Sequence, residues 1–161
     1  MRSYLVFAGV VVGVAGGWLF LLPPAPIAQP LAFNHASHRT MACSVCHRGA
    51  ETAARAAIPQ GDICLKCHAT APKAAGAFAV WRDAGQGARI PWVRVARVPD
   101  HVYFSHRRHA SLAKLDCASC HADVGQRTAP PGRAPVRLDM DACIACHSRE
   151  GASQDCAACH R

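Results

Sequence analysis

Five stretches of the chain share one pattern of reactive side chains. Cys43, Cys46 and His47; Cys64, Cys67 and His68; Cys117, Cys120 and His121; Cys143, Cys146 and His147; and Cys156, Cys159 and His160 each spell C-x-x-C-H. Two thiols at this spacing add across the two vinyl groups of one haem, and the adjoining imidazole supplies the proximal nitrogen to its iron. Paired C-x-x-C units also build zinc ribbons, but a ribbon does not require histidine after every second cysteine. Here all five pairs have it. None of the ten cysteines is left over for a disulfide or a reactive thiol. The pattern predicts five covalently attached c-type haems.

Histidine gives a second count. Of ten histidines, five are proximal, and His35, His38, His101, His106 and His109 remain. Five irons need five sixth ligands if each is six-coordinate, so these five are the expected distal ligands. Four of them sit in a repeated motif, Phe33-Asn34-His35-Ala36-Ser37-His38 and Phe104-Ser105-His106-Arg107-Arg108-His109, each a few residues before a haem site. On a helical turn, two histidines three apart share roughly one face but point apart. Each pair would then grip two different haems and hold them side by side. Met41 and Met140 are the rivals for a sixth position, since methionine is also an axial ligand. Methionine is more often packing material.

An iron closed on both faces by imidazole cannot bind substrate, so the expected chemistry is outer-sphere electron transfer, with no catalytic residue. His/His ligation lacks the methionine that raises the potential of other cytochromes. The potentials should be low and graded by burial and by pairing of propionates with arginines such as Arg94, Arg97, Arg107 and Arg108. A multihaem reductase is the enzymatic rival. It keeps a coordination position open, often with lysine in place of the proximal histidine. No C-x-x-C-K is present, and Lys66 lies inside a C-x-x-C-H.

The elements that position these groups are sparse. The chain has 161 residues and only 6% aromatics, so a core of side chains alone would be thin. Five porphyrins would supply the apolar core. The expected fold is a small haem-packed multihaem domain with little regular secondary structure, only short helices and loops, behind one N-terminal transmembrane helix. The formal charge of +8 suggests an anionic partner. With ten propionates and five ferric centres it falls to about +3, and to about −2 on full reduction. No basic run is interleaved with aromatics, so nucleic acid is not an expected partner.

Composition divides the chain. Residues 1–22 hold an uncharged run from Tyr4 to Leu22, 19 positions and about 28 Å at helical rise, which predicts an uncleaved signal anchor. Gly9, Gly13 and Gly17 in it recur every four residues, a spacing that admits a partner helix. Residues 23–32 are a proline-rich, stiff spacer that would lift the haem domain off the membrane. Residues 33–70 form a two-haem unit, in which Ala50 to Ala57 reads as a short helix. Residues 71–100 are a connector, with Gly76, Gly85 and Gly87 marking loops. Its end, Ile90 to Pro99, reads equally as an edge strand or as a plain connector covering haem edges. Residues 101–161 form a three-haem unit. Haem attachment outside the bacterial cytoplasm and Arg2 on the inner side together place the chain in the cytoplasmic membrane as a single-pass protein, haem domain on the periplasmic side.

The two ligand motifs with their C-x-x-C-H sites resemble the low-potential triheme and tetraheme cytochromes c, in which the two histidines of the motif serve different haems. A longer likeness runs through Ile90-Pro91-Trp92-Val93-Arg94-Val95, Pro99-Asp100-His101-Val102-Tyr103-Phe104-Ser105-His106, Cys117–His121 and the closing Cys156-Ala157-Ala158-Cys159-His160-Arg161. With Phe33–His38 and the N-terminal apolar run, it resembles the pentahaem cytochrome subunit of alternative complex III and its relatives in quinone reductase complexes. The likeness covers nearly the whole chain from Phe33 onward. It implies an electron wire, not itself an enzyme, within a quinol-oxidising respiratory complex. The partners it implies are integral-membrane subunits, an iron–sulfur subunit and a small cytochrome acceptor. The alternatives are a stand-alone, membrane-anchored quinol dehydrogenase and an electron donor to a periplasmic reductase or photosynthetic reaction centre.

Overall fold

The computed structural model describes residues 2–23, 25–69 and 89–160. The glycine-marked part of the connector, with Gly76, Gly85 and Gly87, lies outside the described residues. In chain order the helices are α1 (Arg2–Leu21), α2 (Cys43–Cys46), α3 (Gly61–His68), α4 (Ala118–His121), α5 (Met140–Arg149) and α6 (Cys156–Cys159). Short 3-10 turns cover Ala36–His38 and Val124–Gln126, and a π-turn covers Arg107–Leu112. Among the described residues the extended chain pairs at one isolated antiparallel bridge, Val102 with His160.

The expected transmembrane helix is corrected. Helix α1 is 20 residues long, but among the described residues no helix is long and apolar enough to cross a membrane. The single-pass location in the cytoplasmic membrane falls with the helix. A Cβ placed at Gly9, Gly13 or Gly17 meets nothing within 4 Å, so inside this chain the glycines make room for no close neighbour.

The rest agrees with a small multihaem domain of little regular structure. Among the described residues the buried apolar side chains are Leu31 and Ile90. Chain-to-chain order comes instead from polar staples. Ile90 N–H donates to Gln60 Oε1 at 2.8 Å, and Trp92 Nε1 donates to the Pro59 carbonyl at 2.7 Å. Gln29 grips Val93 by both its backbone groups, its Nε2 donating to the carbonyl at 2.8 Å and its Oε1 accepting the N–H at 3.1 Å. Ile27 N–H donates to the Gly132 carbonyl at 2.7 Å. A Cβ on Gly132 would sit 2.9 Å from the Ile27 carbonyl oxygen, so only glycine admits this approach. Residues 25–32 thus lie along the haem domain, tied to both the connector and the loop around Gly132. Ile90–Pro99 makes no strand; it is a connector hydrogen-bonded to Gln60 and Pro59 of the first unit and to Gln29.

Residues 50–57 form turns rather than the expected helix. The cause is Gly49 at φ +85°, which bends the chain so tightly that a Cβ there would lie 2.8 Å from the Arg55 carbonyl oxygen. Ala53 N–H then bonds to the Gly49 carbonyl at 2.9 Å, and Ala57 N–H to the Arg48 carbonyl at 2.8 Å. The closed loop turns the carbonyls of Ala53 and Ala54 outward, toward the second unit.

Candidate haem-binding site

Each of the five C-x-x-C pairs is wound as a helical turn, in α2, α3, α5 and α6 and from the first residue before α4. Cysteines three apart on such a turn lie on one face. The histidine closes the turn. Its backbone N–H donates to the carbonyl of the first cysteine at 2.8 Å from His47 to Cys43, 2.9 Å from His121 to Cys117 and 2.8 Å from His160 to Cys156. Two thiols and an imidazole are thereby presented by one short loop of chain. All ten thiols are free.

Aspartates start three of these turns. The Asp116, Asp139 and Asp155 carboxylates accept the backbone N–H of Ala118, Ala142 and Ala157 at 2.7, 3.0 and 3.1 Å. This satisfies a donor that the start of a helix leaves open. Motif reasoning on the cysteines and histidines alone passes over these aspartates and their capping role. The signal is present in the sequence, since Asp116 and Asp155 directly precede a haem-site cysteine. Asp141 stands in the first turn of α5 and is not its cap.

The imidazoles meet in pairs. His38 and His68 have ring centres 6.0 Å apart, His101 and His160 5.6 Å, His106 and His121 6.4 Å, and His109 and His147 6.1 Å. A metal–imidazole bond is about 2 Å, so two imidazoles on one metal hold their ring centres about 6 Å apart. Each of the four pairs therefore fits a single iron, and each joins an expected distal histidine to an expected proximal one. His35 and His47 remain. His35 is partly buried, and burial, then the neighbouring His47, then His38 hold its pKa below the usual histidine value.

The ring nitrogens point the same way. Nδ1 lies within hydrogen-bonding reach of a backbone carbonyl in His38 (Asn34, 2.9 Å), His47 (Ala57, 3.1 Å), His106 (Ala54, 3.2 Å), His109 (Ser105, 2.9 Å) and His147 (Ser153, 2.6 Å). A carbonyl only accepts, so Nδ1 carries the proton and Nε2 is left with the lone pair a metal needs. His35 is the exception: its Nδ1 is buried without a hydrogen-bond partner.

Phe33 and Phe104 aim the distal rings. Phe33 meets His35 edge-on at 4.7 Å and stacks on His38 at 4.8 Å. Phe104 meets His106 edge-on at 4.9 Å and stacks on His109 at 4.8 Å. One phenyl ring thus sets the angle between two imidazoles. The residue after each phenylalanine steadies the turn that follows. Asn34 Oδ1 accepts the Ser37 N–H at 3.1 Å, and Ser105 Oγ accepts the Arg108 N–H at 3.4 Å. The repetition of phenylalanine in the motif is the sequence sign of the first role, and an Asn or Ser at a turn start is the sign of the second.

Met41 is 39% exposed and Met140, in the first turn of α5, is 61% exposed. Of the arginines considered for propionates, Arg97 is already engaged, its guanidinium 2.7 Å from the Asp100 carboxylate. That pair is exposed, so it contributes little.

Thiol pairs on helical turns, each followed by an imidazole, with four of those imidazoles meeting a second one across the width of one metal, define a multihaem c-type cytochrome. Comparison with known families agrees. Residues 23–85 match the class III cytochrome C family, and residues 102–161 match cytochrome c7 and related cytochrome c. Both matches are to small multihaem cytochromes, electron-transfer proteins whose haem is covalently bound through C-x-x-C-H. No curated protein matches the chain.

Proposed function

We propose that this protein relays electrons along five bis-histidine c-type haems, as the cytochrome subunit of a quinol-oxidising respiratory assembly of the alternative complex III type. The observation that carries the relay reading is the set of four imidazole pairs at 5.6–6.4 Å. When bound, haem iron supplies one-electron chemistry. The chain's own residues do the rest. Cys43, Cys46, Cys64, Cys67, Cys117, Cys120, Cys143, Cys146, Cys156 and Cys159 fix the porphyrins. His47, His68, His121, His147 and His160 would each bind one iron. His38, His101, His106 and His109 would supply the second imidazole in the pairs above, and His35 would supply it to the iron held by His47. With both faces closed, no exchangeable position is left for a substrate. The backbone carbonyls on Nδ1 keep the rings in the ligating tautomer and tune the donor strength of Nε2.

The place in a larger assembly rests on the likeness of the Ile90–Val95 and Pro99–His106 segments to the pentahaem subunit. The partners proposed with it are membrane subunits that handle quinol, an iron–sulfur subunit and a small cytochrome acceptor.

Two measurements test this. Intact mass of the purified chain should show five haems, and its ferric spectrum should be wholly low-spin. Fewer haems, or a high-spin iron that binds carbon monoxide stoichiometrically, overturns the relay of closed irons. Affinity purification from the native host under mild detergent should bring down an iron–sulfur subunit and quinol-site subunits. Recovery of the chain alone, with quinol oxidation by that chain, overturns the assembly reading.

A further inference from the structure

The chain meets its attachment sites in the order first to fifth. Within each unit, neighbours are set by the ligand motif. His35 and His38 lie on one turn, and His38 pairs with His68, so the first and second sites are adjacent. His106 and His109 lie on one turn and pair with His121 and His147, so the third and fourth sites are adjacent. The fifth site follows His147 by eight residues, through a link that His147 Nδ1 itself holds at the Ser153 carbonyl, 2.6 Å away.

The junction between the units is the informative contact. Among the described residues its hydrogen bonds run to the first site. The loop that closes behind His47 offers the Ala54 carbonyl to both the backbone N–H and the ring Nδ1 of His106, at 3.0 and 3.2 Å. The Ala53 carbonyl takes the next N–H, from Arg107, at 3.0 Å. Around the turn, Ala36 N–H donates to the Arg127 carbonyl at 3.0 Å.

We infer that the attachment sites form a line in the order second, first, third, fourth, fifth. The first site in the chain is then an interior link, and the two ports for exchange with other proteins are the site on α3 (Cys64, Cys67, His68) and the site on α6 (Cys156, Cys159, His160). This rests on the relay reading above. Electron tunnelling falls steeply with distance, so transfer follows nearest neighbours. An electron entering at one port must pass the first site to reach the other.

The test uses the holoprotein with all five haems, counted first by intact mass. His35→Met replaces an imidazole on the first iron by a thioether, which raises that haem's potential and makes it the first to be reduced. The electron it takes repels electrons on its neighbours. In a redox titration followed by the NMR shifts of the haem methyls, the second and third haems should both titrate later than in the parent, and the fourth and fifth much less. His101→Met, at one end of the line, should delay only the fourth. A second measurement needs no variant: through-space cross-peaks between haem methyls of the parent protein should link the first haem with the third. Five haems with the first perturbing only the second, or with cross-peaks joining the second to the third, overturn the order and leave the relay standing. Fewer than five haems overturn both.

Discussion

The ligand motif at 33–38 and the ligand motif at 104–109 hold their rings alike on different backbones. In the first, Ala36–His38 is a 3-10 turn; in the second, Arg107–Leu112 is a π-turn. The phenylalanine contacts nevertheless agree to within 0.2 Å edge-on, 4.7 against 4.9 Å, and are equal at 4.8 Å when stacked. The last histidine of each motif bonds the carbonyl four residues back at 2.9 Å in both. Ring geometry is thus set by the phenyl face and by one local hydrogen bond, and the hydrogen-bond pattern of the turn follows the space available. The units differ at the first histidine. His106 Nδ1 is held by the other unit, at the Ala54 carbonyl, whereas His35 Nδ1 is buried without a partner. The second unit is therefore oriented partly by the first.

The largest effect on this comparison comes from removing the ligands themselves. His35→Ala and His106→Ala should each convert about one fifth of the low-spin ferric signal to high-spin, with one carbon monoxide bound per chain. If one of them leaves all irons low-spin, the two motifs are not equivalent and that histidine is not a ligand.

Gly49→Ala tests this junction. The residue sits at φ +85° with no room for a Cβ, so the change should cost about 1–3 kcal/mol in unfolding of the holoprotein. Its spectroscopic effect should appear at the iron paired with His106 as well as at its own site, because the loop carries the Ala54 carbonyl. A change confined to the site of His47 would show that the junction does not orient His106. Smaller again are Phe33→Leu and Phe104→Leu. Each should lose about 1 kcal/mol of ring contact and broaden the low-spin EPR lines of the two haems it serves. Equal effects support a common geometry; an effect at Phe104 alone would assign the geometry of the first motif to its turn.

The haem chemistry is legible in the sequence because covalent attachment ties ligand type to a fixed local spacing. The distal histidines can be named for a related reason, being repeated beside phenylalanine. What is not legible depends on long-range placement. His101 is only a remainder in a count until the Val102–His160 bridge and the Tyr103 N–H, 2.7 Å from the Cys159 carbonyl, lay it over the last site. The turn at 50–57 reads as a helix because alanine content argues propensity, while Gly49 at positive φ decides the path. The membrane helix is an expectation from hydropathy alone, and among the described residues no helix is long and apolar enough to cross a membrane.

The smallest expected effect separates the second haem site of each unit. Helix α5 begins at Asp139, which accepts the Ala142 N–H; helix α3 begins at Gln60, whose side chain caps nothing and accepts the Ile90 N–H instead. The Ala142 N–H first, and Arg137 at 2.6 Å in addition, hold the Asp139 carboxyl below its usual range. A depressed carboxylate pKa means that the unfolded chain binds the proton more readily. The contribution is therefore complete above the ordinary aspartate value, about pH 4, and is lost as pH falls through the lower folded value. Amide exchange at Ala142 in the holoprotein should accelerate in that acid window, and the corresponding amide of α3, Ile63, should show no matching step. Asp139→Asn keeps a capping oxygen but has nothing to titrate, so it should flatten the Ala142 step and leave exchange near neutral pH close to the parent's. A step that survives in Asp139→Asn would place the titrating group elsewhere in α5 and remove this difference between the two units.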